Sequence, residues 1–250
     1  MKKLNLLTSG VALGAFLLST TALRAGILGS PHDFHGESWN VVGKDPNSVC
    51  GPCHQPHHAD SSVVPLWGHQ TTSTSPGDWT MYNTANVPVS IMKMSPATTP
   101  TGTSLACLSC HDGTVAVNSY GGKIQGGSAV TITNTANLGR DLTHTHPISF
   151  TYDDSLIGPG PTQDKWLYPS ATAVLTPDSG TFVPGNVMTI AGFLLTKNSA
   201  GANRVECNSC HDVHNQIGTP FDLVTNPKLV KINGTAGGIG SLLCRSCHNK

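Results

Sequence analysis

Eight cysteines constrain this chain more than any other feature, because all of them fall into four copies of one short pattern. Each copy has the form Cys-x-x-Cys-His, and the cysteine pairs are Cys50 and Cys53, Cys107 and Cys110, Cys207 and Cys210, and Cys244 and Cys247. The histidines that complete the copies are His54, His111, His211 and His248. Since no cysteine lies outside the pattern, whatever the motifs bind must account for all eight.

This pattern is the attachment signature of c-type haem. Two cysteines three residues apart can form thioether bonds to the two vinyl groups of one porphyrin, and the adjacent histidine then reaches the iron as its proximal ligand. A zinc ribbon does not require a histidine after both of its cysteine pairs. A redox-active dithiol usually occurs once, in a βαβ setting, and structural disulfides leave the four histidines unexplained. The sequence therefore predicts four c-type haems and a role in electron transfer.

The other eight histidines bear on the second axial ligand of each iron. Ligation by two histidines closes both axial positions, which favours electron transfer over chemistry at the iron. The candidate distal ligands are His32, His57, His69, His146 and His214. We expect surface positions, or positions beside the haems, for His35, His58 and His144. Ligation of the iron by methionine is the alternative. Because histidines are in surplus, we interpret the available methionines as packing residues; they are Met81, Met92, Met94 and Met188.

Two of these histidines trail a motif at the same spacing. His57 follows His54 by three residues, and His214 follows His211 by three. Three residues extend over roughly 10 Å, which is too little to pass around the edge of the attached porphyrin. Each is therefore expected to bind the iron of a neighbouring haem, or else to lie in solvent or against a propionate. The fourth motif ends two residues before the end of the sequence, so its distal ligand is expected from upstream or from another subunit.

The first 25 residues have the pattern of an export signal. Lys2 and Lys3 precede an apolar run over 4–18, and small residues follow it. We predict cleavage after Ala25, with Ala22 as the alternative, and no transmembrane segment in the mature chain. The formal net charge is zero, so nucleic acid is not an expected partner.

The composition predicts a fold with little regular structure. Only 11% of the residues are charged and 6% aromatic, with 27 Gly and 17 Pro. We expect a single domain over 26–250 that is mostly irregular and loop-rich, with its core built around four stacked haems and the apo-protein largely unfolded. Short helices are predicted at 104–111 and 241–248, and short strands near 130–132 and 187–190. Haem-binding units span about 26–121 and 201–250, separated by a haem-free strand and loop insert at about 122–200.

Several segments resemble the doubled-CXXCH multihaem c-type cytochromes of metal-reducing bacteria. They are Ser-Pro-His-Asp-Phe at 30–34, Cys-Gly-Pro-Cys-His-Gln-Pro-His at 50–57, Pro-Leu-Trp-Gly-His at 65–69, Cys-Leu-Ser-Cys-His-Asp-Gly-Thr at 107–114, Thr-His-Pro-Ile-Ser-Phe at 145–150 and Cys-Asn-Ser-Cys-His-Asp-Val-His at 207–214. The resemblance covers nearly the whole mature chain.

The resemblance implies an extracellular or cell-surface subunit that polymerises end to end into a filament, with its haems in a continuous line. It also implies that one axial histidine crosses the subunit boundary; the matching position is His57, with His32 as the other candidate donor. Identical subunits and other redox proteins would be the partners. A monomeric shuttle, in the periplasm or at the outer surface, is the alternative, but its transient docking favours a charged patch. A multihaem reductase needs an open iron, and all four motifs end in His.

Overall fold

A computed structural model describes residues 26–40, 48–60, 63–75, 77–82, 94, 97–160, 165–174, 188–215, 228–232 and 241–249. The predicted export signal, Met92 and residue 187 lie outside these ranges. Within them the chain is mostly turns and loops. None of the helices in this part is both long and apolar enough to cross a bilayer.

Three short α-helices carry three of the cysteine motifs. Helix α1 spans Gly102–His111, α2 spans Cys207–Cys210 and α3 spans Leu242–Cys247. The helices predicted at 104–111 and 241–248 are thus confirmed, to within two residues at each end. A 3-10 turn at Asp154–Leu156 and a π-helical turn at Ile190–Leu194 complete the helical structure of the described residues.

Within the described residues the strands have two or three residues each and form two small antiparallel sheets. Strands β1 (Ser119–Tyr120) and β2 (Lys123–Ile124) form a hairpin. Its two loop residues, Gly121 and Gly122, have φ of 62° and 80°, which is the backbone that a tight hairpin turn requires and that glycine adopts without strain. The second sheet has the order β3 (Phe150–Thr151), β5 (Asn203–Val205), β4 (Thr196–Lys197). Its central strand pairs Val205 with Phe150 and Arg204 with Thr196.

The strands of the structure do not coincide with the two strands predicted from the sequence. The prediction at 130–132 is wrong, because these residues form a loop. The backbone N–H of Val117 donates to the carbonyl of Val130, but no ladder follows. In the second stretch Thr189 forms one isolated bridge with Ala173, and the π-helical turn starts at Ile190. Met188 and Ile190 pack in the larger core, whereas Val130 is exposed. With no neighbouring strand in register, the alternation in these two stretches does not produce a sheet.

Two separate groups of buried side chains make up the apolar core. The larger lies around the three-stranded sheet and includes Phe150, Ile190, Leu194, Val205 and Ile232. The smaller consists of Trp79, Met81, Leu108 and Leu142. Both groups are small relative to the described part of the chain.

Candidate haem sites

Each cysteine motif occupies a single turn of helical backbone. The N–H of the histidine donates to the carbonyl of the first cysteine in motifs one, three and four, at 2.9, 3.1 and 2.9 Å. In motif two the same five residues form the end of helix α1. Residues i, i+3 and i+4 share one face of a helical turn, so the two sulfurs and the imidazole of each motif are directed to one side.

Three of the four motif histidines are each oriented by a backbone carbonyl from another loop. The Nδ1–H of His54 donates to Pro65 at 2.9 Å, that of His111 to Ala136 at 2.8 Å, and that of His211 to Lys228 at 2.7 Å. This bond selects the neutral tautomer that keeps the lone pair on Nε2, which is the usual arrangement in a metal-binding histidine. These three imidazoles are therefore set to act as ligands through Nε2.

Three of the motif histidines face a second histidine from another part of the chain. The ring centres of His54 and His214 lie 6.1 Å apart. Those of His111 and His32 are also 6.1 Å apart. The centres of His248 and His146 are 6.3 Å apart.

This spacing matches two imidazoles that bind one metal ion from opposite sides. With a metal–nitrogen distance of about 2.0–2.1 Å, and a ring centre about 1.1 Å beyond the nitrogen, the centres would be about 6.2–6.4 Å apart. The ring planes of the three pairs make angles of 21°, 54° and 66°. A haem iron takes two protein ligands in this way, so the donor sets of three motifs fit a bis-histidine haem.

Burial reinforces this interpretation at His32. Desolvation, with smaller contributions from His111, His211 and His214, lowers the pKa of His32 to about 4. Its ring is thus neutral, and its buried Nδ1 has no hydrogen-bond partner in the described part of the chain. A neutral imidazole with a free lone pair is the form that binds a metal.

His211, the histidine of motif three, differs from the other three motif histidines. All twelve histidines lie in the described ranges, and none of their rings lies at ligand-pair spacing from His211. Its ring is exposed. His57 and His58 are also exposed, in the turn that follows motif one. The distal candidates His32, His146 and His214 are thus each paired within the chain, whereas His57 is not.

The remaining histidines have other contacts. His69 is 4% exposed and packs against Trp67 and Tyr120, with ring centres 5.1 and 5.9 Å away. No motif histidine contacts its ring within the described residues. His35 pairs with Asp33 at 2.5 Å, and His144 is exposed beside Asp141. Met81 lies in the smaller core, while Met94 and Met188 pack against the larger one, as expected of packing residues.

The cysteines of successive motifs are neighbours. The thiols of Cys107 and Cys207 hydrogen bond to each other. The pKa of Cys110 is raised to about 12 by burial and by the charge of Cys53, and that of Cys247 to about 12 by burial and by Cys210 and Cys244. Motif two therefore lies directly beside motif three, and these effects on pKa indicate that motif one lies near motif two and motif three near motif four.

The thiols do not resemble a redox dithiol or a set of disulfides. None of the eight cysteines, all within the described ranges, forms a disulfide. Burial raises the pKa of Cys53 and of Cys210 to about 11, whereas catalytic dithiols have a lowered pKa. Cys207 is the exception, because hydrogen bonds from Cys107 and Ser104 lower its pKa.

Two buried carboxylates beside the motifs were not predicted from the sequence. Asp112 follows motif two and binds Arg140 at 3.2 Å, and Glu206 precedes motif three and binds Arg204 at 3.2 Å. Arg140 is 28 residues from Asp112, and the hydroxyls that donate to Glu206 belong to Thr101, Ser104 and Ser149. No local sequence pattern signals contacts between such distant residues.

Neither a scan against models of protein families nor a search of curated proteins finds a match to this chain. The functional conclusion therefore depends on the residues and their geometry.

Proposed function

We propose that this protein is a c-type cytochrome that carries four haems and transfers electrons. The observation that carries the proposal is the set of three histidine pairs, at 6.1, 6.1 and 6.3 Å, each of which contains one motif histidine. A chance cluster of histidines would not place three motif imidazoles at the spacing of opposed axial ligands, each with a different partner.

The residues that would hold each haem follow from the motifs. The two cysteines would form the thioether bonds, each sulfur bonding a vinyl carbon while the thiol hydrogen goes to the other carbon of that vinyl group. The motif histidine would bind the iron, and the second iron-binding histidine would be His214 for motif one, His32 for motif two and His146 for motif four. The haem supplies an iron that alternates between the ferric and ferrous states.

Closed axial positions favour electron transfer over enzymatic reduction. A histidine on each side of the iron excludes substrate from the metal. Three motifs have both histidines in the chain, and within the described residues motif three alone lacks a second histidine at this spacing. We therefore infer an electron carrier rather than an enzyme.

The order of the motifs supports conduction along the chain. A hydrogen bond joins Cys107 of the second attachment site to Cys207 of the third. The thiols of Cys53 and Cys210 influence the pKa of Cys110 and of Cys247, so the first site lies near the second and the third near the fourth. Because electron transfer between haems falls off steeply with distance, this proximity favours a single path through all four.

We further propose that identical subunits assemble end to end, outside the cell or at its surface, and that His57 of one subunit binds the motif-three iron of the next. His57 and His211 are both exposed, and His211 has no histidine partner in its own chain within the described residues. His57 follows the motif-one histidine His54 by three residues, just as His214 follows the motif-three histidine His211. Within the chain His214 lies opposite His54. The reciprocal pair, His57 opposite His211, would form between two subunits. A contact between two different surfaces that does not close into a ring generates a filament.

His57→Ala tests the assembly. The variant should retain four haems but remain monomeric, and one iron in four should lose its second ligand. His58→Ala is the matched control, because His58 is the adjacent exposed histidine, and it should still assemble. Negative-stain microscopy of the exported protein should show haem-containing filaments for the native chain and for His58→Ala. Discrete particles of monomer size for the native chain would instead indicate a shuttle, and filaments of His57→Ala would eliminate His57 as the donor.

A further inference from the structure

Glu206 is a buried carboxylate between two cysteine motifs. The residue is 2% exposed and directly precedes Cys207, where it caps helix α2. Its carboxylate accepts hydrogen bonds from Thr101 at 3.1 Å and Ser149 at 3.0 Å, and a further short one from Ser104. The Arg204 guanidinium donates to it at 3.2 Å. A buried charge is costly unless it is compensated in this way.

These donors come from segments that are distant in the sequence. Thr101 and Ser104 lie at the start of helix α1, which carries motif two, and Ser149 lies just before strand β3. The hydroxyl of Ser104 also accepts from the backbone N–H of Cys207 at 2.9 Å. The carboxylate thus joins helix α1 to helix α2 at their attachment sites for the second and third haems.

The carboxylate lies against both attachment sites. It belongs to the residue directly before Cys207, and the Ser104 hydroxyl that donates to it lies in helix α1, one turn before Cys107. A nearby negative charge disfavours any added negative charge at the same place. The uptake of one electron by a haem, which converts ferric to ferrous iron, is such an addition.

We propose that Glu206 is a positioning residue that fixes the second and third attachment sites against each other, and that its charge lowers the reduction potential of the two haems bound there. The proposal depends on the four-haem function proposed above. The electron taken up by these haems comes from a neighbouring haem or a donor protein, and no bond to Glu206 is made or broken.

The test is a potentiometric titration, followed by visible absorption, of the complete four-haem protein and its variants. Glu206→Gln keeps the shape but removes the charge. At a fixed potential it should increase the ferrous-to-ferric ratio of two of the four haems on the order of tenfold. Glu206→Asp keeps the charge, and Ser149→Ala removes one donor only. Both should titrate close to the native protein.

Intact mass is measured first, so that the two proposals fail in different ways. A chain without haem overturns the four-haem function itself. A four-haem chain in which Glu206→Gln titrates like the native protein overturns only the role of Glu206. So does an equal shift in Glu206→Asp and Ser149→Ala, because it would show that packing rather than charge sets the potential.

Arg204→Gln is an independent test of the proposal if Glu206→Gln does not take up four haems. It removes the positive charge paired with the same carboxylate, so the ferrous-to-ferric ratio of the same two haems should fall. An unchanged or increased ratio would overturn the proposal.

Discussion

Removal of His214 should convert one of the four haem irons from low spin to high spin. His214 faces His54 at 6.1 Å and no other motif histidine in the described residues. Its replacement by alanine therefore leaves a single protein ligand on the motif-one iron. In the assembled protein the expected loss is one quarter of the low-spin signal, because the His111–His32 and His248–His146 pairs are unchanged and the motif-three iron keeps His57 of the next subunit. The cysteines are unchanged, so all four haems should remain attached.

The assay is electron paramagnetic resonance and visible absorption of the purified ferric protein, with haem content fixed by mass. Added imidazole should restore the low-spin signal of His214→Ala, since it fills the vacated position. His144→Ala is the matched control, because His144 is an exposed histidine whose ring pairs with no other in the described residues. A wild-type spectrum for His214→Ala, or a loss of two low-spin haems, would refute the pairing.

Three further predictions concern the framework around the haems. Ile190→Ala should lower the free energy of unfolding by about 2–5 kcal/mol, because the side chain is fully buried, and chemical denaturation measures this. Burial alone would raise the pKa of Asp112, but hydrogen bonds from Thr114, Thr72 and Arg140 lower it below 3.8. The resulting stability is present above pH 3.8 and is lost as the pH falls through the lowered pKa. Asp112→Asn should therefore be less stable than the native chain at pH 6 and lose less stability on acidification, as acid titrations of unfolding would show. Finally, a chain with all eight cysteines replaced by serine should bind no haem covalently and show little ordered structure by circular dichroism; a cooperative unfolding transition would contradict this.

The attachment sites could be predicted from the sequence because their geometry is local. A Cys-x-x-Cys-His pattern fits one helical turn, so spacing alone places its sulfurs and imidazole on one side. For the same reason the helix at 104–111 was predictable. The export signal predicted at 1–25 lies outside the described residues and stays a prediction.

The distal partners could be reduced to a short set but not assigned. The short spacing between His211 and His214 argues against both binding the same iron. Nothing in the sequence, however, indicates that His214 faces His54, which is 160 residues away. His69 belonged to the same set, and the structure packs it against Trp67 and Tyr120 instead. Such choices depend on how distant loops come together, which no local pattern records.

The strands and the buried carboxylates show the same limit. Alternating residues at 130–132 have no partner strand, while Phe150 and Val205 pair across 55 residues. Glu206 precedes motif three with no sign in the sequence that Ser104 and Ser149 will surround it. Hydrogen bonds between distant residues determine these features, and they become visible only in the folded chain.

The central claim is that the eight cysteines hold four haems, and the intact mass of the exported, purified protein tests it most directly. The account predicts a mass equal to the chain that starts near Gly26 plus four haems, unchanged by denaturation and reduction because thioether bonds resist both. A mass that equals the polypeptide alone, or that falls to it on reduction, would contradict the claim.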